Sequence, residues 1–271
     1  MPNPCQPIID KIRALEKQKS ELNGSNEFPG VPPGLIPPSP IDHHGPELEA
    51  LNKQLLQEAM NLNACLLKGV SPVPMVMSVK SISCRNANDP GPFESDEPYV
   101  LVYVLNLPSL ANPALPSPKV VLVGPLSGVD AKETHPAPAN ILWGINGAPA
   151  TIPNPDDIIL LVAMLENDNA PPASVRTAVE VAMGPILALN LTSIGNRAEF
   201  VARLSNGMQG AIQTAVKLGL PDPDDQIGTV QELRISRLDV AKAFHFGNTT
   251  LDLTFKGDDS HFKVNFQLKR P

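Results

Sequence analysis

The chain has 271 residues, with 21 Lys and Arg against 28 Asp and Glu and a formal net charge of −7. That balance excludes nucleic-acid binding through a basic surface, and a hydrophobic content of 42% excludes wholesale disorder. The 31 prolines and the 4% aromatic content point to many short elements, because proline is kept out of helix interiors and central strands.

In chain order, the first segment reads as a helix beginning near Pro7, with Ile8, Ile12, Leu15 and Leu22 on one stripe and Asn23-Gly24 at its end. A second helix begins near Pro46. Its Leu48, Leu51, Leu55, Leu62 and Leu66 follow a heptad-like spacing up to Lys68-Gly69. The connector, residues 28–45, is too rich in proline to be helical. Two stripes joined in this way predict an antiparallel hairpin over residues 1–70, which brings Cys5 near Cys65. The start of the chain shows no basic region followed by an apolar stretch, and no run of about 18 apolar residues occurs. The default expectation is therefore a cytoplasmic protein, with export by another route left open. Its three cysteines, Cys5, Cys65 and Cys84, are then expected to be reduced and buried.

After Ser71-Pro72-Val73-Pro74 the pattern changes to strands. Residues 76–84, 99–107, 119–124, 140–145, 158–165 and 227–235 are β-branched, alternating or continuous apolar runs. Leu251, Leu253 and Phe255, then Phe262, Val264, Phe266 and Leu268, alternate with polar residues across a Lys256-Gly257-Asp258-Asp259 turn. This is the signature of a hairpin with one wet and one buried face. About eight strands fit an antiparallel sandwich. Residues 173–219 interrupt them as a helical insertion. Asn196-Arg197-Ala198-Glu199 reads as a capping box before the stripe Val201, Leu204, Met208, Ile212 and Ala215, while Gly184-Pro185 is expected to break the earlier part. The single tryptophan, Trp143, is expected in the core.

Nucleophilic catalysis finds little support. The five histidines are scattered, and there is no Gly-x-Ser-x-Gly, His-Glu-x-x-His or phosphate-cradling loop. A hydrolase would have to rely on His245 and His261. The acidic residues, by contrast, gather at turns: Asp89, Glu94 to Glu97, Asp156-Asp157, Glu166 to Asp168, Asp222 to Asp225 and Asp258-Asp259. Two carboxylates about 4 Å apart repel by on the order of 4 kcal/mol at an effective dielectric near 20. Converging carboxylates therefore need a cation, and all-oxygen ligands suit calcium. The alternative is that each Asp pair caps its own turn.

Ser95-Asp96-Glu97-Pro98-Tyr99-Val100 resembles the Ser-Asp-Pro-Tyr-Val segment of C2 domains, with Glu97 inserted. Residues 159–168, a strand run ending in Glu-Asn-Asp, are similar to the family's strand ending in Asp-x-Asp. Asp224-Asp225-Gln226-Ile227-Gly228 resembles its Asp-Asp-Phe-Ile-Gly segment. The three motifs stand in the family's order within residues 73–271. The resemblance implies an eight-stranded antiparallel C2-like β-sandwich; with the N-terminal helical hairpin and the helical insertion read from periodicity, the expected fold is an α+β protein. It implies calcium ligands at Asp89, Asp96, Glu166, Asp168 and Asp225, with Asp224 as a substitute. It also implies non-enzymatic docking on an anionic membrane surface or a protein partner. The family's basic lipid-binding patch is not evident in the sequence. The other reading is a metal-independent structural protein, or a toxin or effector, that self-associates through the helical hairpin and the insertion.

Overall fold

In a computed structural model of the chain, the described residues are 4–24, 45–68, 70, 73–86, 97–112, 115, 117–144, 148–168, 170–217, 224–257 and 260–271. They form two compact units, Met1–Ser71 and Pro72–Pro271. Residues 28–44 of the Pro-rich connector, with His43 and His44, lie outside the described residues.

The first unit holds α1 (Gln6–Gly24) and α2 (Gly45–Leu66). Leu15 and Leu51 are buried on the predicted stripes, and Ile8, Ile12, Leu55 and Leu62 are half-buried beside them. Lys11 Nζ meets Glu58 Oε1 at 2.5 Å, and Lys19 Nζ donates to Asn52 Oδ1 at 2.7 Å. Position numbers rise along α1 as their partners fall along α2, so the helices are antiparallel. The same register overturns the expectation of separate thiols. Cys5 and Cys65 form a disulfide with Cα atoms 5.9 Å apart, within the span such a bond requires.

Among the described residues the second unit has nine strands rather than eight: β1 (Pro74–Asn86), β2 (Pro98–Asn106), β3 (Lys119–Val123), β4 (Thr134–Pro136), β5 (Ala150–Thr151), β6 (Ile158–Glu166), β7 (Gln226–Glu232), β8 (Asn248–Lys256) and β9 (His261–Lys269). One antiparallel sheet runs β4-β1-β9-β8, with β5 also paired to β1. The other runs β3-β2-β6-β7. Of the run 140–145, the described residues 140–144 are not a strand. The Asn140 side chain accepts from Val79 N at 2.8 Å and donates to Val79 O at 3.0 Å. It thus takes the place of a ladder residue, and only a single bridge, Met77 to Trp143, follows.

The two sheets share one core. Met77, Val79 and Ile82 of β1 and Phe262, Val264 and Phe266 of β9 pack with Val100 and Val102 of β2 and Leu160 and Val162 of β6. Cys84 is buried in the same core and is not in a disulfide. A register shift between Val79 and Ser81 moves the inward parity of β1 from odd to even numbers.

The continuous apolar run of β6 has a structural reason: its strand is covered on both faces. The cover is the insertion, α3 (Pro172–Asn190) and α4 (Arg197–Ala215). Their Val179, Met183, Phe200, Leu204 and Met208 pack on Tyr99, Leu101, Tyr103, Ile159 and Leu161. Asn196 caps α4 by accepting from Glu199 N at 3.3 Å. Gly184-Pro185 does not break α3, which runs through Pro185. Four residues earlier, Val181 is 71% exposed, so the carbonyl that loses its partner there faces water. A further helix that periodicity did not single out, α5 (Arg237–Phe246), links β7 to β8. Ser236 and Asp239 form its capping box, and Gly247 ends it at φ 85°.

Candidate functional site

Strand register brings several connections to one end of the second unit. Pro98 pairs with Glu166, and Leu165 with Gln226. In the other sheet, Asn86 pairs with His261, and His261 with Lys256. The two sheets meet at this end through Gly228. It sits at φ +72°, and a Cβ there would lie 3.0 Å from Lys256 O. Only glycine allows that approach.

The centre of this end is Asp224, which is buried. Its Oδ2 accepts from Tyr99 Oη at 2.7 Å. Its Oδ1 accepts from Ala170 N at 2.8 Å and Asp168 N at 3.2 Å. One carboxylate thus joins the start of β2, the β6–α3 loop and the approach to β7. Beside it, Glu166 N donates to Asp225 O at 2.8 Å. Glu97 completes the arrangement: its Oε2 accepts from Asn167 Nδ2 at 2.9 Å, and its carbonyl accepts from Asn167 N at 3.1 Å.

Of the six predicted ligands, Glu166, Asp168, Asp224 and Asp225 are brought together at this end. Asp168 and Asp225 are exposed, Glu166 is half-buried, and Asp224 points inward. Asp89 and Asp96 lie outside the described residues, as do Glu94, Asp222, Asp258 and Asp259. Among the described residues, no three His, Cys, Asp or Glu side chains converge closely enough to hold a metal.

The sequence reading missed a basic edge. Arg85 at the end of β1 and Lys256 at the end of β8 flank His261 at the start of β9. Burial, followed by the charges of Lys256 and then Arg85, holds the His261 imidazole below its ordinary pKa. Acids therefore sit on the β2-β6-β7 side of this end and cations on the β1-β9-β8 side. The cations are separated by up to two-thirds of the chain, so only pairing unites them. His245 lies on α5, ahead of β8, at the strand end opposite His261. The two candidate histidines are thus not brought together.

Both tyrosines of the chain are in β2 and buried. Burial, then the hydrogen bond to Asp224 and the charges of Asp224 and Asp168, push the Tyr99 phenol far up. Burial alone does the same for Tyr103. The sign follows from linkage. The unfolded phenols lose their protons near pH 10 while the folded ones keep them, so stability falls as pH rises above that point. The expected loss is up to about 1.4 kcal/mol per pH unit for each tyrosine. Tyrosinate absorbance should therefore stay absent above pH 10 in the folded protein and appear together with unfolding. A smooth titration of either tyrosine near pH 10, with the fold intact, would contradict this.

Compared with known proteins, the chain matches no family model, no curated protein and no solved structure. The class its geometry defines is an α+β protein with a helical pair and a unit of two antiparallel sheets. Among the described residues, no helix is long and apolar enough to cross a membrane.

Proposed function

We propose that the second unit is a non-enzymatic C2-like binding module, whose acidic end takes calcium and docks on an anionic membrane surface or a protein partner. One observation carries this reading. Glu166, Asp168 and Asp225 share one end of the unit with Arg85 and Lys256, acids on one sheet and cations on the other. Calcium would relieve the repulsion among the carboxylates. The neighbouring cations would then meet the phosphate or carboxylate oxygens of the partner. Asp224 serves this site as a support, since it holds the backbone of the Asp168 loop in place. The Cys5–Cys65 bond favours oxidising surroundings, where modules binding calcium at about 10⁻⁴–10⁻³ M operate.

The test is thermal unfolding during a calcium titration. Calcium at a hundred times its dissociation constant should stabilise the fold by about 2.7 kcal/mol, a rise of roughly 5–10 °C for a unit of this size. Asp168→Asn together with Asp225→Asn should abolish the rise. No shift at about 10 mM calcium, roughly ten times the weak end of the 10⁻⁴–10⁻³ M range, would remove calcium from the proposal.

A second reading, self-association through the N-terminal helices, is favoured by a separate observation. Leu56 and Met60 on α2 are 65% and 58% exposed, and Leu67, just past its end, is 49% exposed. The four-residue spacing of Leu56 and Met60 puts them on one helix face, away from the stripe turned to α1. Light scattering should show an oligomer that Leu56→Lys with Met60→Lys converts to a monomer. A wild-type chain that is monomeric at high concentration would end this reading.

A further inference from the structure

The opposite end of the second unit is built differently. There β2 ends at Asn106, which pairs with Ile158 at the start of β6, and β1 begins at Pro74, which pairs with Thr151 of β5. Between these strand ends lies a cavity of about 390 Å³. Val104, Leu142, Trp143 and Ile158 form its floor, and Pro74, Pro108, Pro149 and Pro153 its rim. Proline offers no N–H, so a rim of prolines adds apolar rings without backbone donors. The Trp143 Nε1 already donates to Ala150 O at 3.1 Å, which leaves the indole to act as an apolar wall.

Two charged residues line this cavity. Asp157 Oδ1 accepts from Asn154 Nδ2 at 3.1 Å, so its own loop meets it. Lys119 opens β3 directly opposite Val104, which sets it on the cavity side of the sheet. Among the described residues its Nζ has no hydrogen-bond or ion-pair partner. The volume lies within the range of small-molecule pockets. It corresponds to about a dozen heavy atoms, taking roughly 30 Å³ for each water displaced.

We propose that this cavity is a binding site for a small amphipathic acid, with its apolar body against Trp143, Leu142 and Val104 and its carboxylate on Lys119. A ligand of this kind removes apolar surface from water and gives the lysine its missing partner. A neutral ligand would achieve only the first. The site is independent of the acidic end and of any calcium there.

Trp143 is the only tryptophan in the chain, so its emission reports the cavity directly. The full chain would be titrated with sodium decanoate below its micelle concentration, in EDTA, with decanol as the neutral analogue. The expected result is a saturable change in Trp143 emission with both, and tighter binding of decanoate. Lys119→Gln should weaken decanoate about tenfold, the worth of one charge-assisted hydrogen bond, and leave decanol unchanged. Absence of a saturable change with decanoate overturns the site. Equal binding of decanoate by Lys119→Gln and wild type overturns the assignment of its carboxylate to Lys119. EDTA keeps either failure separate from the calcium reading.

Discussion

Cys5→Ser combined with Cys65→Ser is expected to cost the helical unit about 4 kcal/mol, the loop-closure value for a crosslink of this span. The bond joins positions 60 residues apart, and it closes a unit with little else to hold it. Two antiparallel helices bury few side chains; among the described residues, Leu15, Leu51 and Leu66 are the buried leucines of their stripes. The Lys11–Glu58 pair is partly exposed and contributes little in water. Helices of this length are marginal without tertiary support. The far-ultraviolet helical signal should therefore soften on reduction, or in the double variant. Trp143 emission from the other unit should hold. Helical melting that is the same with and without the bond would show that packing alone sustains the hairpin.

Asp224→Ala is expected to be the most damaging change at the acidic end. It removes the acceptor of the Tyr99 hydroxyl and of two backbone N–H groups, at Asp168 and Ala170. Each donor left buried without a partner costs about 1–3 kcal/mol. A combined loss of about 4 kcal/mol, and a fall in Tm of roughly 10 °C, is the expected outcome. Tyr99→Phe should cost less, about 1–2 kcal/mol, because the two backbone donors keep their acceptor. The double variant should be less damaged than the sum of the two, since both changes break the same bond. Full additivity would show that Asp224 and Tyr99 act separately. By contrast, Asp225→Ala should leave stability within about 0.5 kcal/mol, as expected of an exposed side chain.

Much of the architecture was legible because periodicity reports burial. The stripe Val201, Leu204, Met208 and Ile212 is the buried face of α4, and the alternation in β9 matches its burial residue by residue. The Asn196 cap was readable from four residues. Short elements carry no such signal. β4 and β5 have three and two residues, too few to show a period. Residues 140–145 looked like a strand because their apolar content is real, yet Asn140 supplies the pairing from its side chain. The α5 helix had a local signal, a Ser-x-x-Asp box before it and a glycine after it, without a clear apolar stripe.

The acidic site divides in the same way. Sequence alone determined that carboxylates gather at turns, and that strands of the right length separate those turns. It also set the apolar run of β6, whose two buried faces demanded a cover. Which of two adjacent aspartates turns inward was decided only by the tertiary structure, because Tyr99 and two loop N–H groups converge on Asp224 and not on Asp225. The same holds for the meeting of Arg85, Lys256 and His261, for the bond between Cys5 and Cys65, and for the cavity beside Lys119. Local sequence records whether a side chain favours water or the core. Strand and helix register, set by packing across the whole unit, determines which distant side chains become neighbours.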